Sequence, residues 1–234
     1  MLDVHTHILP GIDDGSRSVE QSMSMLLAQK ASGVDTVMLT PHFLAGRDSP
    51  AEFLRKRHDA EAQLRAATRG DARMPALYTG AEVAFFEGLV NVEDLQPLCI
   101  GGGPVMLIEM PFSPWTQRML SDLKRLQQMR GIQPILAHIE RYRKFQPRGL
   151  WQELSDNGMW LQCNTSFFLR WQTGRLARSM LKHQLVNFVA SDSHDLEHRP
   201  PNLGETMEKI EGKLGAEATA VLRSSEEALL ERIQ

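Results

Sequence analysis

The sequence predicts an α/β fold in which parallel strands form a closed or distorted barrel. Seven short segments rich in Val, Ile, Leu and Met are distributed along the 234 residues, and segments with helical spacing lie between them. The apolar segments do not alternate strictly between apolar and polar residues, which is typical of parallel strands covered on both faces. Such strand–helix units favour a barrel, and an open doubly wound sheet is the alternative.

Each predicted strand is short, as strands in globular proteins usually are. The seven are Leu2–His5, Thr36–Thr40, Ala76–Val83, Val105–Met110, Ile132–Ala137, Trp160–Asn164 and Phe188–Ser191. A helical segment or a long connection follows each of them, and no linker or low-complexity tract interrupts the series. We therefore expect residues 1–234 to form a single domain, a length that α/β barrels often reach.

Residues that favour helix ends mark the segments between the strands. Side chains typical of helix starts are Ser18, Ser49, Asn202 and Ser224. Ser18 has Gln21 three residues later, which is capping-box spacing, and Gly33 follows the apolar residues of that helix. A charged helix is predicted from Ser49–Pro50 to about Thr68, and another over Trp115–Arg130.

The composition excludes several classes of protein. The chain has 26 Lys and Arg residues against 29 Asp and Glu residues, so its net charge of -3 argues against a broad basic surface for nucleic acid. The chain contains no run of about 18 apolar residues, so no membrane span is predicted. The N-terminal residues do not resemble a secretory signal. Two cysteines, Cys99 and Cys163, cannot form a disulfide framework, and Cys163 does not begin a Cys-x5-Arg loop. We expect a cytoplasmic protein.

Side chains that bind metals lie at or near the ends of six predicted strands. They are His5 and His7, His42, Glu82, Glu109, His138, and Asp192 with His194. Each lies about one strand–helix unit beyond the one before, and the remaining strand ends in the polar residues 164–166. The carboxyl ends of barrel strands are where active sites are assembled. The sequence therefore predicts a metal site at this rim.

Two short motifs have a spacing that directs a pair of side chains to one point. Residues i and i+2 of a strand face the same side, so His5 and His7 can approach one ion, as can Asp192 and His194. His-x-His alone is a weak signal, and its position at the first strand makes it specific. On the turn after that strand, Asp14 can fold back over the barrel mouth, whereas Asp13 is interpreted as an Asx turn.

This ordered set of motifs resembles the polymerase-and-histidinol-phosphatase (PHP) superfamily, and within it the bacterial metal-dependent protein-tyrosine phosphatases encoded with capsule and exopolysaccharide genes. The most specific stretch is Asp-Val-His-Thr-His-Ile-Leu-Pro-Gly-Ile-Asp-Asp-Gly at positions 3–15. Thr-Pro-His at 40–42, Gly-Ala-Glu at 80–82, His-Ile-Glu-Arg-Tyr at 138–142 and Ser-Asp-Ser-His at 191–194 support it. The resemblance implies a distorted (β/α)7 barrel of PHP type.

The resemblance also implies three divalent metal ions held by nine side chains. The three groups would be His5, His7, Glu82 and Asp192; Glu82, Glu109 and His138; and Asp14, His42 and His194. Glu82 would bridge the first two metals. Imidazoles and carboxylates without thiolates suit borderline to hard cations, so Mn²⁺ is the expected ion, with Fe²⁺ and Zn²⁺ as alternatives.

The same resemblance assigns phosphate binding to Arg141 and Arg199, whose forked guanidinium groups match phosphate oxygens. A hydroxide bound to the metals would be the nucleophile, because coordination lowers the pKa of water. Four aromatic residues follow strand ends and are candidates either for contact with an aromatic leaving group or for packing beneath a loop. They are Phe43, Phe112, Trp115 and Phe168.

The implied function is hydrolysis of phosphotyrosine in a protein, with a tyrosine autokinase of polysaccharide synthesis as the expected partner. A small-molecule phosphatase such as a histidinol-phosphatase, and a non-catalytic metal-stabilised domain, are the alternatives. Asp14 stands where small-molecule members tend to have histidine, which favours the protein substrate. The nine filled ligand positions argue against the non-catalytic alternative. The sequence gives no indication of the oligomeric state.

Overall fold

A computed structural model describes residues 1–234 as parallel strands with helices around them. The strands are β1 Leu2–Thr6, β2 Thr36–Leu39, β3 His42–Phe43, β4 Ala76–Thr79, β5 Glu82–Ala84, β6 Val105–Glu109, β7 Gln133–Leu136, β8 Trp160–Asn164 and β9 Phe188–Ala190. The helices are α1 Val19–Ala31, α2 Pro50–Thr68, α3 Gln117–Arg130, α4 Leu150–Asp156, α5 Thr165–Leu169, α6 Gly174–Lys182, α7 Leu203–Leu214 and α8 Ala216–Ile233. None of these helices is both long and apolar enough to cross a membrane.

The strands form two parallel sheets that follow each other around the molecule. The first has the order β1-β2-β4 and the second β3-β5-β6-β7-β8-β9. Two residues separate β2 from β3 and β4 from β5, so these two interrupted strands connect the sheets. A parallel bridge between Thr6 and Ser193 and a 2.9 Å hydrogen bond from the His7 N–H to the Ser193 carbonyl join β9 back to β1. The predicted α/β fold is confirmed. If each interrupted strand is counted once, seven strands form a distorted barrel in which a single bridge joins β9 to β1.

The third predicted strand, Ala76–Val83, is wrong as one continuous element, because it breaks at Gly80 and Ala81. The backbone there passes so close to Ile100 that an added Cβ on Gly80 would lie 3.0 Å from the Ile100 side chain. Arg57 of α2 donates a 2.8 Å hydrogen bond to the Gly80 carbonyl. The break moves Glu82 into the second sheet, where it pairs with Leu107.

Three of the four predicted N-cap residues directly precede a helix, and the fourth does not. The Ser18 hydroxyl accepts a hydrogen bond from the Gln21 N–H, although the Gln21 side chain bonds the Arg17 N–H rather than that of Ser18. Ser49 and Glu52 form a complete capping box, and Asn202 precedes α7. Ser224 was predicted to start a helix and lies inside α8, which begins after Gly215, at a positive φ of 80°.

A buried apolar cluster fills the barrel below the rim. Alternate residues of several strands belong to it, among them Leu2 and Val4 of β1. Leu229 and Ile233 of α8 join this cluster, so the C-terminal helix packs at the amino ends of the strands. The larger apolar cluster contains buried side chains of strands and of most surrounding helices. The carboxyl ends of the strands are left for the polar side chains.

Candidate metal centre

The structure brings all nine predicted ligands together at the carboxyl ends of the strands. They are His5 in β1, His7 after it, Asp14 in the following turn, His42 at the start of β3, Glu82 at the start of β5, Glu109 at the end of β6, His138 after β7, and Asp192 and His194 after β9. Most are fully buried, while Asp14 is 67 % exposed at the mouth. Six strand ends, with the turn that follows β1, therefore converge on one point.

Glu82 lies at the middle of this cluster. Its Oε2 atom is 3.3 Å from Nε2 of both His5 and His7, and 2.8 Å from Nδ1 of His42. Its Oε1 atom is 2.9 Å from Nε2 of His138. One carboxylate thus faces four imidazoles, as a bridging ligand between neighbouring cations would.

Asp192 faces two of the same imidazoles from the carboxyl end of β9, the strand next to β1. Its Oδ1 atom lies 3.5 Å from Nε2 of His5 and 3.4 Å from Nε2 of His7. These two Nε2 atoms are themselves 3.1 Å apart. The i, i+2 spacing of the first motif therefore does direct both rings to one place, as the strand geometry predicts.

Two further carboxylates complete the outer parts of the cluster. The Asp14 Oδ1 atom lies 3.4 Å from Nε2 of His42 and 3.5 Å from Nε2 of His194. Glu109 Oε1 lies 3.5 Å from Nε2 of His138. These contacts extend the cluster on both sides of Glu82.

Ligand atoms within 4.8 Å of one another form three groups. The groups are His7, Asp14, His42 and His194; His5, His7 and Asp192; and His42, Glu82 and Glu109. They differ from the grouping that the resemblance implies, because His7 is shared by two groups and His42 lies with Glu82 and Glu109. The assignment of each ligand to one particular metal stays a prediction.

Four buried atoms of this cluster form no well-aligned hydrogen bond, although two of them, Nδ1 of His42 and Oε2 of Glu82, lie 2.8 Å apart. The four are Nδ1 of His42, Oε2 of Glu82, Oδ1 of Asp192 and Nε2 of His194. A buried polar atom without a partner costs about 1–3 kcal/mol, and four such atoms facing one space are explained by cations between them. The nitrogen and oxygen donor set is the one that Mn²⁺, Fe²⁺ and Zn²⁺ accept. The residues present therefore fit divalent metal ions.

Four of the five imidazoles are oriented by a hydrogen bond at Nδ1. The partners of Nδ1 are Gln162 Oε1 for His5 (3.3 Å), Asp13 Oδ2 for His7 (2.7 Å), Tyr142 Oη for His138 (3.1 Å) and the Asp192 carbonyl for His194 (2.9 Å). For His5, His7 and His194 the partner is a carbonyl or carboxylate oxygen, which fixes the proton at Nδ1 and leaves the Nε2 lone pair for a metal. The Tyr142 hydroxyl orients the ring of His138 and can either donate to Nδ1 or accept from it. This pattern is typical of metal-binding histidines.

Three of these orienting residues were missed at the sequence level. Asp13 does form the predicted turn, accepting the Gly15 N–H at 3.0 Å, and it also holds His7. Gln162 could have been suspected as a polar residue within an apolar strand. Tyr142 has no comparable signal, since its role depends on the turn that brings it back to His138.

The carboxylates of the cluster are ionised, and they favour the charged form of two of its imidazoles. Burial acts to lower the pKa of His5 and His7, but the neighbouring carboxylates raise it above its usual value, so a cation that binds here displaces protons from these two rings. Burial acts to raise the pKa of the Glu82 carboxyl, but the charge of His5 and the hydrogen bond from His138 hold it well below its usual value. The pKa of Asp192 is also held well below its usual value, because the charge of His5 outweighs burial. Burial and the charge of His7 lower the pKa of His194 to about 4. At neutral pH both carboxylates are ionised and His194 is neutral.

The backbone is strained at two of the predicted ligands. His138 has φ 35° and Asp192 has φ 51°, in the left-handed region that residues other than glycine rarely occupy. Such conformations cost about 1–3 kcal/mol each and concentrate at functional sites. The surrounding fold thus holds both side chains in the cluster at a cost in stability.

The two predicted phosphate-binding arginines lie at the rim of the cluster. Nη2 of Arg141 is 2.7 Å from Oδ2 of Asp192, and Nη2 of Arg199 is 2.5 Å from the same atom. Asn164 donates a further hydrogen bond to it at 2.7 Å. Each arginine side chain is about one-third exposed, 36 % and 35 %. Asp192 therefore directs one oxygen to the imidazoles and the other to the guanidinium groups.

Of the four aromatic candidates, only Phe112 is accessible at the mouth. Its side chain is 50 % exposed, and its ring lies parallel to that of His138 at 17°, with 6.3 Å between centroids. Phe43, Trp115 and Phe168 are buried and belong to the apolar core. Packing beneath loops is therefore the role of those three.

Both cysteines are buried. Burial and the charge of Asp94 raise the pKa of the Cys99 thiol to about 12, and burial raises that of Cys163 well above its usual value. Neither thiol is ionised at neutral pH, so neither is suited to nucleophilic attack.

Comparison with known proteins places the chain among proteins of capsule synthesis. The family model described as capsular polysaccharide synthesis, CpsB/CapC, matches residues 1–231. The chain is 30 % identical over 228 residues to the tyrosine-protein phosphatase CpsB of Streptococcus pneumoniae, which covers 92 % of each chain. It is 29 % identical over 241 residues to the tyrosine-protein phosphatase YwqE of Bacillus subtilis, covering 98 % of this chain and 91 % of that protein.

Solved structures agree with the sequence comparison. A crystal structure described for YwqE from Bacillus subtilis and CpsB from Streptococcus pneumoniae, metal-dependent tyrosine phosphatases, superposes with a TM-score of 0.87 at 26 % identity. It covers all of this chain and 96 % of the other. The phosphotriesterase homology protein of Escherichia coli shares the fold at a TM-score of 0.54 and 12 % identity, with 96 % of each chain covered.

Proposed function

The chain belongs to the CpsB/CapC family of capsular polysaccharide synthesis proteins, and we propose that it is a metal-dependent phosphatase that hydrolyses phosphotyrosine in proteins. The observation that carries the proposal is the set of orphaned buried carboxylate and imidazole atoms beneath two rim arginines. Relatives over nearly the whole chain are tyrosine-protein phosphatases. The proposal includes a single domain formed by residues 1–234.

Three divalent cations are proposed as cofactors, with Mn²⁺ as the expected ion. The residues that would hold them are His5, His7, Asp14, His42, Glu82, Glu109, His138, Asp192 and His194. Bound there, divalent cations supply Lewis-acid stabilisation of phosphate charge and lower the pKa of water. The orphaned atoms and the fixed Nδ1 hydrogen bonds support this assignment.

The two arginines are proposed to bind the substrate phosphate. Arg141 and Arg199 both contact Oδ2 of Asp192, which also accepts a 2.7 Å hydrogen bond from Asn164. A phosphate dianion accepts forked, charge-assisted hydrogen bonds from arginine. The arginines thereby position the phosphorus above the cluster and stabilise charge that grows during the reaction.

Phe112 supports an aromatic leaving group. Its half-exposed ring lies at the mouth, 6.3 Å between centroids from the ring of His138, which is one of the proposed metal ligands. Aromatic pairs contribute about 0.5–1.5 kcal/mol beyond the area they bury. A tyrosine autokinase of polysaccharide synthesis is the proposed phosphoprotein partner.

The test is to remove the metals with a chelator, restore them with Mn²⁺, and compare three substrates. These are a phosphotyrosyl peptide, the matched phosphoseryl peptide and histidinol phosphate. We expect turnover to disappear and return with the metal, to favour phosphotyrosine, and to survive thiol alkylation. Preference for histidinol phosphate would replace the proposal with a small-molecule phosphatase. Full turnover after complete metal removal would refute it.

A further inference from the structure

The segment from position 143 to position 182 carries an unbalanced positive charge. It contains seven Lys and Arg residues and two acidic ones, Glu153 and Asp156, in a chain whose net charge is -3. Six of the seven cations are exposed, and none forms an ion pair with a carboxylate. Glu153 faces Lys124 of α3 instead. The surface thus presents free positive charge that the protein itself does not neutralise.

Two adjoining grooves connect these cations to the metal centre. The first, of about 240 Å³, is lined by Arg141, Arg143 and Arg170. The second, of about 620 Å³, is lined by Arg143, Arg148 and His183. Arg143 borders both grooves, so the two adjoin at this side chain. Because Arg141 also contacts Asp192 of the cluster, the positive surface starts at the candidate active site.

The walls of these grooves combine charge with apolar surface. Arg143 lies over the ring of Phe167, 5.8 Å from its centroid, which holds the guanidinium between the two grooves. Trp151, Leu176 and Leu185 line the second groove. The acidic residue at the first groove, Glu140, lies within 3.4 Å of the Asn164 backbone N–H. Such a lining suits a polypeptide that carries acidic side chains.

We propose that these grooves bind an acidic segment of the substrate polypeptide next to the phosphotyrosine. This inference rests on the proposed function, because it names the sequence context in which phosphotyrosine is hydrolysed. A concave surface that begins at the active site fits an extended chain better than a flat membrane. Exposed complementary charges mainly accelerate association and weaken with salt, so the effect falls on kcat/KM at low ionic strength.

The test compares two phosphotyrosyl peptides of equal length, one with Glu and Asp flanking the phosphotyrosine and one with Gln and Asn. The measured quantity is the ratio of their kcat/KM values. We expect wild type to favour the acidic peptide, and Arg143→Gln with Arg148→Gln to lower the ratio by about 3- to 10-fold, since one exposed charge pair contributes up to about 5-fold. Arg69→Gln, an unpaired cation at the end of α2, should leave the ratio unchanged.

Arg148→Gln alone keeps the contact between Arg143 and Phe167. This single variant replaces the double variant in the test if the double variant folds poorly. It should lower the ratio by about 1.4- to 5-fold. Equal kcat/KM for both peptides in wild type would overturn the groove and leave the phosphatase intact. No turnover of either peptide by metal-loaded protein would overturn the phosphatase and the groove with it. Loss of binding to anionic vesicles in the double variant, with an unchanged peptide ratio, would assign the grooves to a membrane surface and also overturn the proposal.

Discussion

Replacement of Asp13 by asparagine tests how the centre holds its histidines. Asp13 is buried, and its Oδ2 atom accepts hydrogen bonds from Nδ1 of His7 at 2.7 Å and from the His42 N–H at 3.1 Å. Its Oδ1 atom accepts from the Gly15 N–H at 3.0 Å. Asparagine has one acceptor oxygen, so Asp13→Asn cannot satisfy all three donors. If the amide oxygen accepts the hydrogen bond from Nδ1 of His7, the amide NH2 group faces the Gly15 N–H, and two donors then point at each other.

The expected loss follows from these contacts. The bond to His7 changes from a charged to a neutral acceptor, which lowers its strength from about 1.5–3 to about 0.5–1.5 kcal/mol. A weaker acceptor at Nδ1 makes Nε2 a poorer ligand, and loss of such partners usually costs about 10- to 100-fold in metal affinity. We therefore expect Asp13→Asn to weaken Mn²⁺ binding by about 10- to 100-fold, equivalent to about 1.4–2.7 kcal/mol.

The assay is a competition titration of Mn²⁺ against a chelator, followed by turnover at saturating Mn²⁺. Asp71→Asn is the matched control, because Asp71 accepts a backbone N–H two residues on at 3.0 Å in a turn outside the site. It should bind Mn²⁺ as wild type does. Wild-type Mn²⁺ affinity in Asp13→Asn would refute the argument that the Nδ1 partner sets the ligand strength of His7.

Three further predictions concern the arginines, the exposed ring and a distant carboxyl. Arg199→Ala and Arg141→Ala should each lower kcat/KM by about 30- to 1000-fold, or about 2–4 kcal/mol, with unchanged metal content and weaker inhibition by phosphate; unchanged kinetics in both would contradict their role. Phe112→Ala should lower kcat/KM for phosphotyrosine about 2- to 10-fold more than for an alkyl phosphate, and an equal loss on both would remove the ring from substrate recognition. Burial raises the pKa of Glu226 from its ordinary value of 4.5 to about 7. The unfolded chain therefore loses this proton more easily than the folded one, and the folded state becomes less stable as pH rises from about 4.5 to about 7. In urea unfolding, Glu226→Gln should exceed wild-type stability by about 1–3 kcal/mol at pH 8 and match it near pH 4.5; equal stability at pH 8 would contradict this.

The sequence predicts the strand ends and their metal-binding residues because both depend on local rules. Strand periodicity places His5 and His7 on one side, and the carboxyl ends of parallel strands meet at one rim. The break at Gly80 depends instead on the close approach of Ile100, which is distant in sequence. Gln162 likewise contacts His5 from a strand 157 positions away. A polar residue in an apolar strand marks Gln162 as unusual, but which residue it contacts depends on the tertiary fold and has no local signal.

The short helices α4, α5 and α6 were not predicted for a related reason. None has a side-chain hydrogen bond at its N-cap, so the capping signal that identifies α1 and α2 is missing. Isolated helices of this length are unstable in water, and packing against the barrel maintains them. The basic surface near α6 was missed too, because the overall charge of the chain hides a local excess.

The central claim is that hydrolysis of phosphotyrosine depends on divalent cations held at the strand ends. The most direct measurement is the turnover of a phosphotyrosyl peptide by metal-depleted protein as Mn²⁺ is added in known equivalents, for wild type and Asp192→Ala. The account predicts no turnover without metal, recovery in wild type as the cluster fills, and a loss of several orders of magnitude with less bound metal in Asp192→Ala. Wild-type turnover in the metal-free chain, or in Asp192→Ala with a full metal complement, would contradict it.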